Sequence, residues 1–276
     1  MSSLKYLMNV EGKSGRFNNL IYVPGRRKIN QFIWQIVCYF GGDIQNFHDK
    51  MIKQNNDQEF LQYSLENVAT KLSQRFNDEH DILVVQPSQT INSFSLYKNF
   101  VNSTKPYGTP SFDDNDRCCF DHFLQLLMNV ASEQIKLNVD TIEVCLIGFS
   151  KGQIVINQMA RSIHSISTEQ SIKLKFNNLY LLDGGHNGVK DFWITQPELI
   201  DSFIRHGCRN FHLGVTDFQL NKPQNIRQEF ETFYQILCSK PGVNVKKTYL
   251  AQNNFPDLSP INLHFKLLDY LFQNLL

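Results

Sequence analysis

Residues 141–154 read TIEVCLIGFSKGQI, and this stretch narrows the possible folds more than any other. An apolar, β-branched run ends in Gly148-Phe149-Ser150-Lys151-Gly152, and a helical pattern follows at once. A chain that passes from a buried strand to a helix through a single serine turns very tightly. Side chains two residues before and two after the serine would strike neighbouring backbone, so both positions are glycine. The serine is held in a strained conformation that lifts its Oγ above the sheet. The helix beginning there aims its first N–H groups and its positive end at the same space. With 14 glycines in 276 residues, chance produces this spacing about 0.05 times per chain.

The order of elements around this turn predicts an α/β fold with a mainly parallel central sheet, a three-layer sandwich. Strands are expected at 19–25 (NLIYVPG), 32–42 (FIWQIVCYFGG), 81–88, 141–149, 177–185, 210–218 and 243–250. Helices are expected at 64–76, 116–135, 152–166, 195–207, near 225–239 and at 265–276. In the first of these, Leu65, Val68, Ala69, Leu72 and Phe76 share one face, with Ser64 as N-cap. Thr195, Pro197, Glu198 and Gly207 supply start and stop signals for the 195–207 helix. Alternating strands and helices imply a sheet covered on both faces. In such sheets ligands bind beyond the carboxyl ends of the strands. Residues 89–115 form a long connection with Pro106, Gly108 and Pro110, of the kind that is functional or mobile. No linker divides the chain, so residues 1–276 read as one domain, with about 1–18 as a loose N-terminal segment.

Strand, G-x-S-x-G, helix is the nucleophile elbow of the α/β-hydrolases. Its partners follow in the order Ser, acid, His. His264 is the only histidine after the last strand and is the expected base. Two carboxylates end strands: Asp183 in YLLDGGHNG and Asp217 in LGVTDFQ. The residues alone leave both open as the acid. The oxyanion hole requires the N–H of Lys151 and a second from FGGD after the 32–42 strand, so Gly42 or Asp43 is expected there.

Net charge is +1, with a charged fraction of 19% and no basic stripe, which argues against nucleic acid as a partner. The longest apolar run, FIWQIVCYF, is far too short to span a membrane. Without G-x-G-x-x-G or a P-loop, no dinucleotide or triphosphate cofactor is expected. His206, Cys208 and His212 straddle a helix end and a strand start without a fourth ligand, so no metal is expected. The six cysteines form no C-x-x-C, and Cys38 and Cys145 lie in apolar strand runs; a reducing compartment is expected.

Several longer stretches carry a resemblance: FGGDIQNFHDKM (40–51), SLENVATKL (64–72), LYKNFV (96–101), LIGFSKG (146–152), LLDGGHNG (181–188) and PELI (197–200). From about residue 19 onward the chain resembles the eukaryotic family of the human protein named for chromosome 2 open reading frame 69. The resemblance implies an α/β-hydrolase-like fold, no established substrate, and a mitochondrial location. Its LDGG signature favours Asp183 over Asp217. The first residues, MSSLKYLMNVEGK, lack a signal core and contain little arginine. If they carry no targeting signal, the expected location is the cytoplasm.

Two functions are therefore expected. One is a serine hydrolase acting on a small-molecule or acyl substrate, an ester, thioester or amide. The other is a non-catalytic binding or regulatory protein on the same scaffold, because a fold alone does not confer activity.

Overall fold

Alternating β-branched and aromatic residues in the strand runs are buried on both faces, as a covered sheet requires. A computed structural model describes residues 3–26, 33–76, 80–104, 106–135, 141–166, 173–222 and 225–274. Eight strands form one sheet: β1 (Lys5–Glu11), β2 (Phe17–Val23), β3 (Ile33–Phe40), β4 (Asp81–Val85), β5 (Thr141–Phe149), β6 (Lys173–Leu182), β7 (Asn210–Thr216) and β8 (Asn244–Leu250). Their spatial order is β1-β2-β4-β3-β5-β6-β7-β8. β1–β2 and β2–β4 are antiparallel and every other pairing is parallel.

The period-two alternation of strand residues splits the core in two. In β5, Val144 and Leu146 join one cluster while Cys145, Ile147 and Phe149 join the other. Helices α2 (Cys118–Val130), α3 (Gln153–His164), α4 (Pro197–Arg205) and α5 (Ile226–Ser239) contribute to the first cluster. Helices α1 (Leu65–Arg75) and α6 (Pro260–Asn274) contribute to the second. The result is an α/β-hydrolase-like three-layer fold. β5 lies at its centre, so the turn after β5 opens beyond the carboxyl ends of the parallel strands.

Several local expectations are met by named contacts and others are corrected. Ser64 caps α1 by accepting the Asn67 N–H (3.3 Å). Thr195 does not cap α4; the capping position is Gln196, and no side chain bonds there. Residues 5–11, within the segment expected to be loose, pair with β2 as an edge strand. The connection 89–115 holds two small hairpins, Gln89–Ile91 with Phe94–Leu96 and Asn102–Ser103 with Pro110–Ser111. Asn92 and Ser93 both adopt positive φ (47° and 66°), the demand of a two-residue primed turn. α6 starts at Pro260, five residues before expectation; the Ser259 Oγ accepts the Asn262 N–H at 3.2 Å, with proline in the first helical position.

One buried histidine makes stability depend on pH. His122 is fully buried; its Nδ1 accepts the Lys13 N–H (2.9 Å) and its Nε2 meets Asn18 Oδ1 at 2.8 Å. A proton on Nδ1 would cost the first of these bonds. Burial, aided by Arg16, lowers its pKa from 6.5 to about 4. The folded state therefore takes its proton later than the unfolded chain as pH falls. Stability is fully present above pH 6.5 and is lost as pH drops towards 4. Between pH 7.5 and 4.5 this group is expected to remove about 2–3 kcal/mol. Urea unfolding at both pH values checks it: His122→Gln should shrink the difference by that amount. An undiminished difference assigns the acid sensitivity elsewhere.

Candidate active site

The turn after β5 has the strain that its glycines imply. Ser150 has φ +52° and begins a short 3-10 turn, Ser150–Gly152, that leads into α3. A Cβ on Gly152 would lie 2.0 Å from the Phe40 carbonyl oxygen, and one on Gly148 would lie 3.0 Å from Gln153 Cα. A non-glycine serine is kept in a left-handed conformation only when its surroundings enforce it. Here β3 and α3 enforce it from both sides.

The end of β3 packs directly on the serine. A Cβ on Gly42 would be 2.7 Å from Ser150 Cβ and 3.2 Å from its Oγ. Of the two expected donors in FGGD, Gly42 already gives its N–H to Gln45 Oε1 (2.9 Å). Ile44 donates to Ser93 O (2.7 Å). Asp43 lies between them, and its N–H has no acceptor among the described residues. The side chains of Asp43 and Lys151 also meet. Lys151 is fully buried, with Nζ 3.7 Å from Asp43 Oδ1 and 2.5 Å from the Tyr107 carbonyl oxygen. Burial lowers the lysine pKa and raises that of the carboxyl; the opposite charge of each resists the shift. The Ser95 N–H (2.7 Å) completes the carboxylate's bonding. This pair ties the two backbone segments nearest Ser150 to each other.

His264 stands on α6, one turn past its start, rather than in the loop before it. Its Nδ1 lies 2.5 Å from Asp183 Oδ2. Asp183 follows β6, has φ +49°, and is completely buried. Thr216 at the end of β7 donates to it twice, from N–H to Oδ1 (2.7 Å) and from Oγ1 to Oδ2 (2.5 Å). A ring that donates to this carboxyl oxygen carries its hydrogen on Nδ1, which leaves the Nε2 lone pair free. Phe149 and Phe218 flank the ring at 4.5 and 4.7 Å. Asp217 is occupied elsewhere: it accepts from Tyr249 OH (2.5 Å) and Gln252 N–H (2.7 Å). The geometry thus brings His264 to Asp183 and not to Asp217.

Ser150, His264 and Asp43 line one cavity of about 290 Å³. No hydrogen bond joins Ser150 Oγ to the imidazole. Asn92, Ser93 and Phe94 from the first hairpin form part of the wall, so the 89–115 connection reaches the site. His186, Phe218, Gln219 and Lys222 also line it and were not anticipated. The DGGH run directly after Asp183 is a signal that could have pointed to His186, but nothing local marks Lys222. His186 is no rival base. Its Nδ1 accepts the Gly188 N–H (3.0 Å), its Nε2 meets Asp191 O (3.3 Å), and burial lowers its pKa to about 4. His206, Cys208 and His212 are engaged separately, with Ser202 O, Asn210 O and the Tyr180 ring. Among the described residues no group of three or more His, Cys, Asp or Glu side chains is arranged to hold a metal ion. No helix of the described residues is long and apolar enough to cross a membrane.

Comparison with known proteins places the chain among relatives. Solved structures are alike only in broad outline. An esterase of Pyrobaculum calidifontis shares 12% identity at a TM-score of 0.47, covering 98% of this chain and 83% of the esterase. An IroE-like serine hydrolase of Shewanella oneidensis shares 11% at 0.45, covering 99% and 80%. At that level nothing about chemistry transfers. Sequence relatives are closer. The mouse mitochondrial protein C2orf69 homolog is 28% identical over 279 residues, covering 80% of this chain and 75% of its own length. The human mitochondrial protein C2orf69 is 28% identical over 256 residues, covering 73% and 66%. The zebrafish homolog is 30% identical over 206 residues, covering 68% of this chain and 59% of the homolog. The C2orf69 family model matches residues 6–139 and 131–243, more than half of the sequence, and the chain belongs to the C2orf69 family.

Proposed function

We propose that the chain is a serine hydrolase acting on an ester, thioester or amide of modest size. The observation that carries this reading is the joint placement of a strained Ser150 and an Asp183-bound His264 on one cavity. Ser150 Oγ attacks the carbonyl carbon as His264 Nε2 takes its proton. Asp183 holds the ring in the required tautomer and stabilises the imidazolium. The N–H groups of Lys151 and Asp43 receive the charge that develops on the carbonyl oxygen. Collapse of the tetrahedral intermediate breaks the bond to the leaving group, which departs with the histidine's proton. Water, deprotonated by His264, then cleaves the acyl-serine ester and restores the enzyme.

The missing Ser150–His264 hydrogen bond favours a second reading, a binding protein on a hydrolase scaffold. A fluorophosphonate probe separates the two. An activated Ser150 displaces fluoride and becomes covalently phosphonylated; mass spectrometry of the tryptic peptide spanning Ser150 reads the adduct. Labelling is expected in the wild type and lost in Ser150→Ala and His264→Ala. A wild-type chain that never labels overturns the hydrolase and leaves the binding protein.

A further inference from the structure

Among the described residues, one charge on the cavity beside Ser150 has no opposite charge paired with it. Lys222 is half-buried on its wall. Its ammonium sits 4.4 Å from the centre of the Phe218 ring, and that ring lies 4.7 Å from His264. Among the described residues, no carboxylate is within ion-pair distance of Lys222 and no acceptor takes its hydrogens. The two carboxylates nearby are committed elsewhere. Asp43 is held by Lys151 and the Ser95 N–H, and Asp183 by His264 and Thr216. Both act on Lys222 only at longer range, and burial lowers the lysine's pKa against their pull.

We infer that Lys222 binds an anionic group of the substrate, a carboxylate or phosphate carried a few bonds from the scissile carbonyl. The inference deepens the serine-hydrolase reading and rests on it for the reacting end of the substrate. A half-buried ammonium with no carboxylate paired to it among the described residues forms a strong charge-assisted bond to an arriving anion at little reorganisation cost. The neighbouring wall fits such a group: Asn92, Asn187 and Gln219 carry neutral amides whose N–H groups can bond its remaining oxygens. Phe94, Phe218 and Phe265 suit a short carbon chain. A volume of about 290 Å³ is at the small end for ligand sites and fits a compact acyl group.

Binding is tested apart from catalysis, on the full chain carrying Ser150→Ala. Calorimetric titration compares succinate, inorganic phosphate and the neutral diamide succinamide. At least one anion should bind about tenfold tighter than the diamide, and Lys222→Gln should remove about that factor, the size of one charge-assisted hydrogen bond. Lys222→Arg should restore most of it, which a merely folded but altered cavity would not do. Tighter succinate identifies a carboxylate ligand, and tighter phosphate a phosphate. Equal binding of anion and diamide, or anion binding indifferent to Lys222→Gln, overturns the proposal. In the catalytic arm, the ratio of kcat/KM for mono-p-nitrophenyl glutarate over p-nitrophenyl butyrate should fall about tenfold in Lys222→Gln. If neither ester turns over in the wild type, the hydrolase reading fails while the titration still decides the role of Lys222.

Discussion

Asp183→Asn is expected to lower kcat on a short p-nitrophenyl ester about 10⁴-fold, with the fold intact. The carboxylate does two things that asparagine cannot. It accepts the Nδ1 proton, which leaves Nε2 free to act as base, and it stabilises the imidazolium formed when Ser150 gives up its proton. An amide turned to donate to Nδ1 would select the opposite tautomer, with the proton on Nε2 facing the serine. Thr216 bonds both carboxylate oxygens, so the residue's position is over-determined and the substitution changes chemistry before it changes geometry. Asp217→Asn is the matched control. That residue bonds Tyr249 and Gln252 and touches neither ring nor serine, so kcat should stay within about threefold. Steady-state assays of the two variants decide the matter: a crippled Asp217→Asn beside a healthy Asp183→Asn would mean the wrong strand supplies the acid.

Gly152→Ala should damage stability and chemistry together. Its Cβ would stand 2.0 Å from the Phe40 carbonyl oxygen and 2.7 Å from that of Gly41, and both obstacles are backbone. Relief requires the start of α3 to move away from the end of β3. Overpacking of this kind costs about 3 kcal/mol, equivalent to a fall in Tm of roughly 6–12 °C. The same movement separates Ser150 from Asp43, and a displacement of about 1 Å in a catalytic group costs on the order of 100-fold in rate. Gly15→Ala is a useful contrast. Gly15 has φ +78° but nothing within 4 Å of an added Cβ, so only backbone strain of about 1 kcal/mol is expected. Differential scanning calorimetry of both variants separates crowding from strain. A Gly152→Ala chain that melts like the wild type would show that the elbow tolerates a methyl group.

The sequence revealed those parts of the structure that local sterics dictate. β5 runs from Thr141 to Phe149 as read, because a β-branched stretch ending in glycine has few alternatives. The elbow was visible in its spacing: Gly148 answers to Gln153 five residues on, and Gly152 to the Phe40 carbonyl of the adjacent strand, an obstacle that any strand-to-helix turn this tight meets in its neighbour. Parts that depend on distant partners were hidden. β1 was missed because its residues are mostly exposed and carry no buried alternation. The hairpin turn at Asn92-Ser93 was missed because neither residue is glycine, although both sit at positive φ. Both Asp183 and Asp217 end strands, and only the packing of α6 on the sheet decides which one His264 reaches. That Gly42 already gives its N–H away depends on Gln45, whose side chain folds back three residues to take it. Lys222 has no motif at all; it becomes noticeable only when the cavity's other charges are paired off.

The buried Lys151 also pins a loop that backs the cavity wall, where the Tyr107 ring packs on Phe94. Its ammonium holds the Tyr107 carbonyl oxygen, in the loop between Asn102–Ser103 and Pro110–Ser111, while leaning on Asp43 beneath the site. A flap that swung this loop outward would leave the ammonium short of one charge-assisted hydrogen bond while Asp43 stayed in place, at about 1.5–3 kcal/mol. The open form would then make up less than about 10% of molecules. Traffic through such a site follows the standing aperture and not a gate. If the proposed hydrolase turns over, it should therefore show no lag and no jump at an oil–water interface, and molecules too bulky for the opening should be refused however well their reactive end would suit Ser150.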